Sequence, residues 1–167
     1  MMARAHPTPA LRPLLAADVP LLAEIFRTSI EGLTADDYSE AQQQAWASTA
    51  DDEEDFGARL AGQLTLIATL DGSVVGFASL KGKDALDMLY VHPAVAGQGV
   101  GTMLADALER LAAARGTSHL SVDASDSARG FFERRGYVPQ RRNTVSLHGE
   151  WLANTTMEKR LATEGNR

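Results

Sequence analysis

The spacing of apolar positions changes twice along this chain. Leu21, Leu22, Ile25 and Ile30 recur at the three- to four-residue interval of a helix with one buried face. Asp18 stands where an N-cap belongs and Gly32 where that helix would stop. The preceding "ALRPLLAAD", residues 10–18, reads as a first strand. Ser39 and Gln42 have capping-box spacing and predict a second helix through "YSEAQQQAWAS". "DDEEDFGARLAG", residues 51–62, predicts a third, short helical piece whose acidic start suits the positive end of a helix.

From residue 64 the pattern becomes strand-like. "LTLIATL" and "SVVGFASL" flank Asp71-Gly72, a strong hairpin signal, and "ALDMLYVH" follows the turn "KGKD". Helical spacing returns at Val100, Leu104, Leu108 and Leu111, and Gly116 ends that run. "HLSVDA" is then a short strand, and "SDSARGFFERRG" a helix with Ser125 as N-cap and Gly136 past its end. "YVPQRRNTVSLHGEWLANTTMEKRL" predicts two long strands joined at His148-Gly149. The expected order is β, α, α, β, β, β, α, β, α, β, β, with the acidic piece after the second helix. That order describes a mixed α/β sheet with an antiparallel middle and one crossover helix.

Length and composition narrow the setting. A chain of 167 residues suits one domain over 1–167, with loose tails expected at about 1–8 and 162–167. Sixteen Lys and Arg against 22 Asp and Glu leave a net charge of −6, which argues against a nucleic-acid binder. With no cysteine there is no disulfide, thiolate metal site or cysteine nucleophile, and no metal site is predicted. The opening "MMARAHPTPA" lacks the apolar stretch of a signal peptide, and no apolar run reaches the roughly 18 residues of a membrane span. A cytoplasmic protein without a membrane partner is therefore expected.

The candidate chemistry sits at the junction "LYVHPAVAGQGVGTML". Gly97, Gly99 and Gly101 alternate between a strand and a helix. Glycines there let the backbone turn several N–H groups toward one anion at the positive end of the helix, a pyrophosphate cradle that needs no lysine. A tight strand-to-helix turn explains the same glycines without a ligand. The P-loop pattern fails, and Thr102 breaks the dinucleotide fingerprint, so a nucleotide-cofactor site is disfavoured.

Two motifs raise the weight of the cradle. "AGQGVG" after "LYVHP", and "VDASDSARGFFERRGY" further on, resemble the GNAT family, the Gcn5-related N-acetyltransferases. The resemblance covers about residues 10–160. The stretches "DYSEAQQQAWA" and "RRNTVSLHGEWLANTTMEKRL" resemble a bacterial YafP-like subgroup. It departs from the family pattern at Ala96, usually Arg or Gln, and at Phe132, usually Tyr. The implied fold is a mostly antiparallel mixed sheet, splayed between its fourth and fifth strands, with helices on both faces. The implied reaction is acetyl transfer from acetyl-CoA directly to an amine of a small molecule or peptide in a ternary complex. The alternative is a non-catalytic acyl-CoA-binding regulatory module; a homodimer is compatible with either.

By this resemblance the coenzyme contacts Leu89, Tyr90, Val91, Ala96, Gly97, Gln98, Gly99, Val100, Gly101, Thr102, Ser125, Ala128, Phe131 and Phe132. An N–H near Leu89 to Val91 would polarise the acetyl carbonyl. An attacking amine must lose a proton, since alkylamines are mostly protonated at neutral pH. Asp87 is the preferred base, because period two puts it on the face of Leu89 and Val91, and Asp123 is the runner-up. With Phe132 in place of the family's tyrosine, Tyr90 or Ser125 could serve as the acid, or thiolate could leave unaided. Tyr38 and Trp46 are candidate walls for an aromatic or cationic acceptor, with core packing as the plainer reading. Glu31, Asp36 and Asp37 would suit an amine or be plain loop charges. One or two of Arg129, Arg134, Arg135, Arg141 and Arg142 would meet the coenzyme's 3′-phosphate. His119 and His148 read as surface residues.

Overall fold

The computed structural model describes residues 7–162. Of the tails expected at about 1–8 and 162–167, residues 1–6 and 163–167 lie outside the described residues. Strand β1 (Pro9–Pro13) leads through a 3-10 turn into helices α1 (Val19–Leu33), α2 (Glu40–Ala47) and α3 (Glu53–Ala61). Strands β2 (Leu64–Leu70), β3 (Ser73–Lys81) and β4 (Ala85–Val91) follow as an antiparallel run. Helix α4 (Val100–Ala114) crosses to β5 (His119–Ser125), and α5 (Arg129–Arg134) precedes the hairpin β6 (Val138–Leu147) and β7 (Glu150–Arg160). The seven strands form one sheet in the order β1-β2-β3-β4-β5-β7-β6.

The sheet is antiparallel except between β4 and β5, the mixed topology expected. There only Ala85–Ser121 and Leu86–Val122 pair, and beyond them the two strands part. Each face has its own core. Leu104, Leu108, Leu120, Phe132 and Met157 pack under α4 and α5. Leu22, Ile25, Ile30, Phe56, Phe77 and Met88 pack under α1 to α3.

Several local expectations are met at the atomic level. The Ser39 hydroxyl accepts from the Gln42 amide, and the Gln42 side chain accepts from the Ser39 amide. Asp52 caps α3 through the Asp55 amide, with Glu53, Glu54 and Asp55 in its first turn. Asp71 and Gly72 both take positive φ in the β2–β3 turn, as do His148 and Gly149 in the last hairpin.

Five local assignments differ from the sequence reading. The first strand stops at Pro13 and not at residue 18. Asp18 gives α1 no side-chain cap, because its carboxylate is engaged by Arg12 at 2.8 Å and by the Leu15 amide. Helix α1 runs through Gly32 to Leu33. Gly32 is there for closeness: a Cβ at this position would lie 2.8 Å from Pro93 Cγ. Ser125 does not cap α5, which begins four residues later; its hydroxyl accepts from the Ala128 amide and closes the turn between. Thr8, assigned to the loose tail, is paired with Asp71 through both its amide and its carbonyl.

The Arg12–Asp18 pair makes a pH prediction. Hydrogen bonds from Arg12 hold the Asp18 carboxyl below the ordinary carboxylate range. A depressed folded value means its stabilisation is present above the unfolded value, about 3.9, and is lost as pH falls through the folded value. Asp18→Asn is expected to cost about 1–2 kcal/mol at pH 7, discounted for the partly exposed arginine. In urea titrations the gap from wild type should close as pH falls through the folded value, below the ordinary carboxylate range. A gap that persists there would mean the residue acts through shape alone.

Candidate active site

Where β4 and β5 part, a cleft of about 640 Å³ opens. One end is the loop from Val95 to the start of α4 and the other is bounded by α1, Trp46 and β7. The loop is shaped by its glycines. Gly97 and Gly99 have φ of +78° and +84°, conformations that side-chain-bearing residues rarely adopt. Gly99 is also the N-cap of α4, and no side chain caps the helix. The amides of Gly97, Gly99, Val100, Gly101 and Thr102 find no protein acceptor among the described residues. The amides of Ala96 and Gln98 are engaged by the carbonyls of Pro93 and Val95. Gln98 is absent from the cleft lining, whereas Ala96 belongs to it through its position.

A Cβ at Gly97 or Gly99 would meet no protein atom within 4 Å, so the cradle is open to an incoming group. Gly101 has ordinary helical geometry, and a Cβ there would touch Phe131 at 3.6 Å. A helix N-terminus with five free amides suits a pyrophosphate. Leu89, Val91, Ser125, Ala128, Phe131 and Phe132 line the same cleft. Phe132 is 3% exposed and lies edge-on to both Phe131 and Tyr137, so packing accounts for much of it.

Of the five arginines near α5 and β6, the structure separates one from the rest. Arg135 bonds Asp106 and Glu109, Arg142 bonds Asp126, Arg129 bonds Glu133, and Arg141 bonds Asn143. Arg134 lines the cleft and forms no ion pair among the described residues.

Asp87 corrects the strand-period argument. The β3–β4 register shifts so that Leu80 faces Leu86 and Ser79 faces Met88, which makes Asp87 the extra residue of a β-bulge. The bulge reverses the alternation. Leu86, Leu89 and Val91 pack toward α4, while Met88 and Tyr90 pack toward α1 to α3. Asp87 goes with the second set and not with Leu89 and Val91. Its Oδ2 accepts from Arg59 Nε at 3.0 Å and from Gln63 at 2.8 Å, and it still lines the cleft. Across the gap, Asp123 also lines the cleft, with Oδ1 accepting from the Thr156 hydroxyl at 2.6 Å.

The aromatic residues form a row. Tyr90 of β4 lies 6.4 Å from Trp46, and Trp46 lies 5.4 Å from Tyr38. Tyr38 precedes α2, so the two candidates do not share one helix face; tertiary folding brings them together. The Tyr38 hydroxyl donates to the Ala153 carbonyl and accepts from the Asp126 amide. Burial pushes the Tyr90 phenol up to about 12, so it remains a donor at neutral pH. Among the described residues no group of His, Asp and Glu is arranged to hold a metal, and no helix is long and apolar enough to cross a membrane.

A model of the acetyltransferase (GNAT) domain matches residues 34–161. The chain belongs to the GNAT acetyltransferase family. YafP of Escherichia coli K12, described as an uncharacterized N-acetyltransferase, is 32% identical over 84% of this chain and 88% of its own. A crystal structure of a GCN5-related N-acetyltransferase from Rhodopseudomonas palustris is 66% identical over 96% of this chain and 100% of its own, with a TM-score of 0.91. That protein is also described as a class-II aminotransferase. Among the described residues, no lysine lines the cleft of this GNAT protein to anchor pyridoxal phosphate as a Schiff base. PaiA N-acetyltransferase from Thermoplasma acidophilum, solved with coenzyme A, shares the fold at 20% identity and a TM-score of 0.75, over 92% of this chain and 99% of its own.

The acyltransferase reading and the splayed GNAT sheet expected from the two motifs therefore stand. Sequence reasoning missed Arg59 and Gln63 as partners of Asp87. The only signal available was their charge and polarity near the end of a helix, which does not say what they face.

Proposed function

We propose that the protein transfers an acetyl group from acetyl-CoA to a primary amine, directly, within a ternary complex. The observation that carries this reading is the parting of β4 and β5 next to five unpartnered amides at the start of α4. That cleft suits one elongated ligand with an anionic waist and a reactive tail. Acetyl-CoA supplies the acyl group as an activated thioester. The absence of cysteine leaves no thiol to carry the acyl group between two half-reactions.

The residues take complementary roles in this reading. Amides of Gly97 and Gly99 to Thr102 hold the pyrophosphate, and Arg134 takes a further phosphate. The β4 backbone from Leu89 to Val91 aligns the pantetheine arm, and an N–H of that stretch polarises the acyl carbonyl. Phe131 and Phe132 pack on the arm. Asp87, oriented by Arg59 and Gln63, accepts the proton of the attacking amine, directly or through water. Tyr90 stays protonated and can donate near the departing sulfur. Thiolate is also a tolerable leaving group unaided, with an ordinary thiol value near 8.5.

A non-catalytic acyl-CoA-binding module is the second reading, favoured by Phe132 in place of a hydroxyl-bearing residue and by the ion pair on Asp87. A panel of primary amines separates the two when thiol release and acetyl-CoA binding are measured side by side. Thiol release that depends on the amine is the expected result. Tight binding without release from any amine would favour the module.

A further inference from the structure

We propose that the acceptor is a small amine with a flat apolar body and no anionic group, its body against Trp46 and Tyr90 and its ammonium toward Asp123. This rests on the acetyl-transfer reading and deepens it.

Charge is the first argument. Two carboxylates line the cleft, Asp87 and Asp123. Asp87 is compensated by Arg59 at 2.9 Å. Asp123 forms no ion pair among the described residues. A neutral relay holds it instead: Thr156 donates to Asp123, and Asn143 donates to both Thr156 and Asn154. The relay orients the carboxylate without neutralising it, which leaves a negative charge for a cationic ligand. Among the described residues, the one cation lining the cleft is Arg134, on α5 beside the glycine loop. An acceptor carboxylate or phosphate would thus meet Asp123 and no counter-charge.

Surface chemistry is the second argument. The row Tyr90, Trp46 and Tyr38 runs from β4 across to β7. Tyr38 has its hydroxyl engaged twice, so this wall offers aromatic surface and not a free phenol to the cleft near β7. Ile30, Leu33, Val145 and Leu152 continue the apolar lining. Such a wall favours a flat body and a nearby cation.

Access is the third argument. The segment around α2 is tied to the far side of the gap at four points. Ser127 donates to Asp37 at 2.8 Å, Tyr38 donates to the Ala153 carbonyl at 2.6 Å, the Asp126 amide donates to Tyr38 at 2.9 Å, and Gln42 donates to the Trp151 carbonyl at 2.7 Å. A polypeptide lying across the cleft in extended form would have to break these ties. A small molecule would not.

The test uses 2-phenylethylamine, phenylalanine (the same body with a carboxylate) and a lysine-containing peptide. With acetyl-CoA, kcat/KM for 2-phenylethylamine should exceed that for either of the others by about 100-fold or more. Asp123→Asn should lower kcat/KM for 2-phenylethylamine at least about tenfold and narrow its margin over phenylalanine. Trp46→Leu, which keeps an apolar side chain, should raise its KM at least about tenfold with acetyl-CoA affinity unchanged. Phenylalanine or the peptide turning over as well as 2-phenylethylamine would overturn the proposal. Calorimetry on the protein loaded with coenzyme A gives a readout that needs no turnover. Binding of 2-phenylethylamine but not phenylalanine, without acetylation, would keep the acceptor class and remove the reaction. No binding of 2-phenylethylamine at millimolar concentration would remove the acceptor class.

Discussion

Gly99→Val is expected to weaken coenzyme A binding by about 100-fold or more while the fold persists, a loss of roughly 2.7 kcal/mol. The cause is backbone conformation. Gly99 has φ of +84° at the N-cap of α4, and a β-branched residue there is strained whatever the space. No protein atom lies within 4 Å of the added Cβ, so the fold has no clash to relieve. The loop itself must yield, and its amides then lose their common aim. Gly101→Ala is the internal control. Its φ is ordinary and its Cβ would make a normal contact with Phe131, so a much smaller effect is expected. Calorimetry with coenzyme A, beside a thermal melt, reads both. Full affinity in folded Gly99→Val would remove the pyrophosphate from this loop.

Asp87→Asn should lower the acetylation rate near neutral pH by about 100-fold or more, with acetyl-CoA affinity held within a few-fold. An asparagine oxygen can still accept from Arg59 and Gln63, so the bulge and the ties to α3 should survive. What is lost is basicity. The deficit should shrink at high pH, where more of the amine is already neutral. A pH–rate profile of both proteins separates this from mere mispositioning, which would lower the rate equally at every pH. Full activity of the variant at pH 7 would move the proton to Asp123 or to water.

Much of the fold can be read from the chain because its signals are local. A capping box at Ser39 and Gln42 needs four residues, and the turns at Asp71-Gly72 and His148-Gly149 need two. The glycine loop is equally local, since positive φ at Gly97 and Gly99 follows from residue type and from the strand and helix on either side. The two motifs around residues 96–101 and 122–137 carried the family because their backbone geometry tolerates few alternatives.

The site's side chains obeyed distant partners instead. Period two puts Asp87 beside Leu89, but one extra residue in the β3–β4 register reverses its direction, and register is a property of two strands. The five arginines are alike as a sequence cluster. Only packing against Asp106, Glu109 and Asp126 withdraws two of them and leaves Arg134 at the cleft. Tyr38 reads from the sequence as an acceptor wall or as core, and only the fold shows its hydroxyl engaged by β7 and by the turn after β5. By itself, then, the sequence determined most of the elements, their order and the glycine loop before α4, because those depend on residues that are neighbours along the chain. Tertiary structure alone decided which carboxylate is neutralised, which cation is free and where the aromatic wall stands. Those depend on pairings between residues tens of positions apart, which no local period encodes.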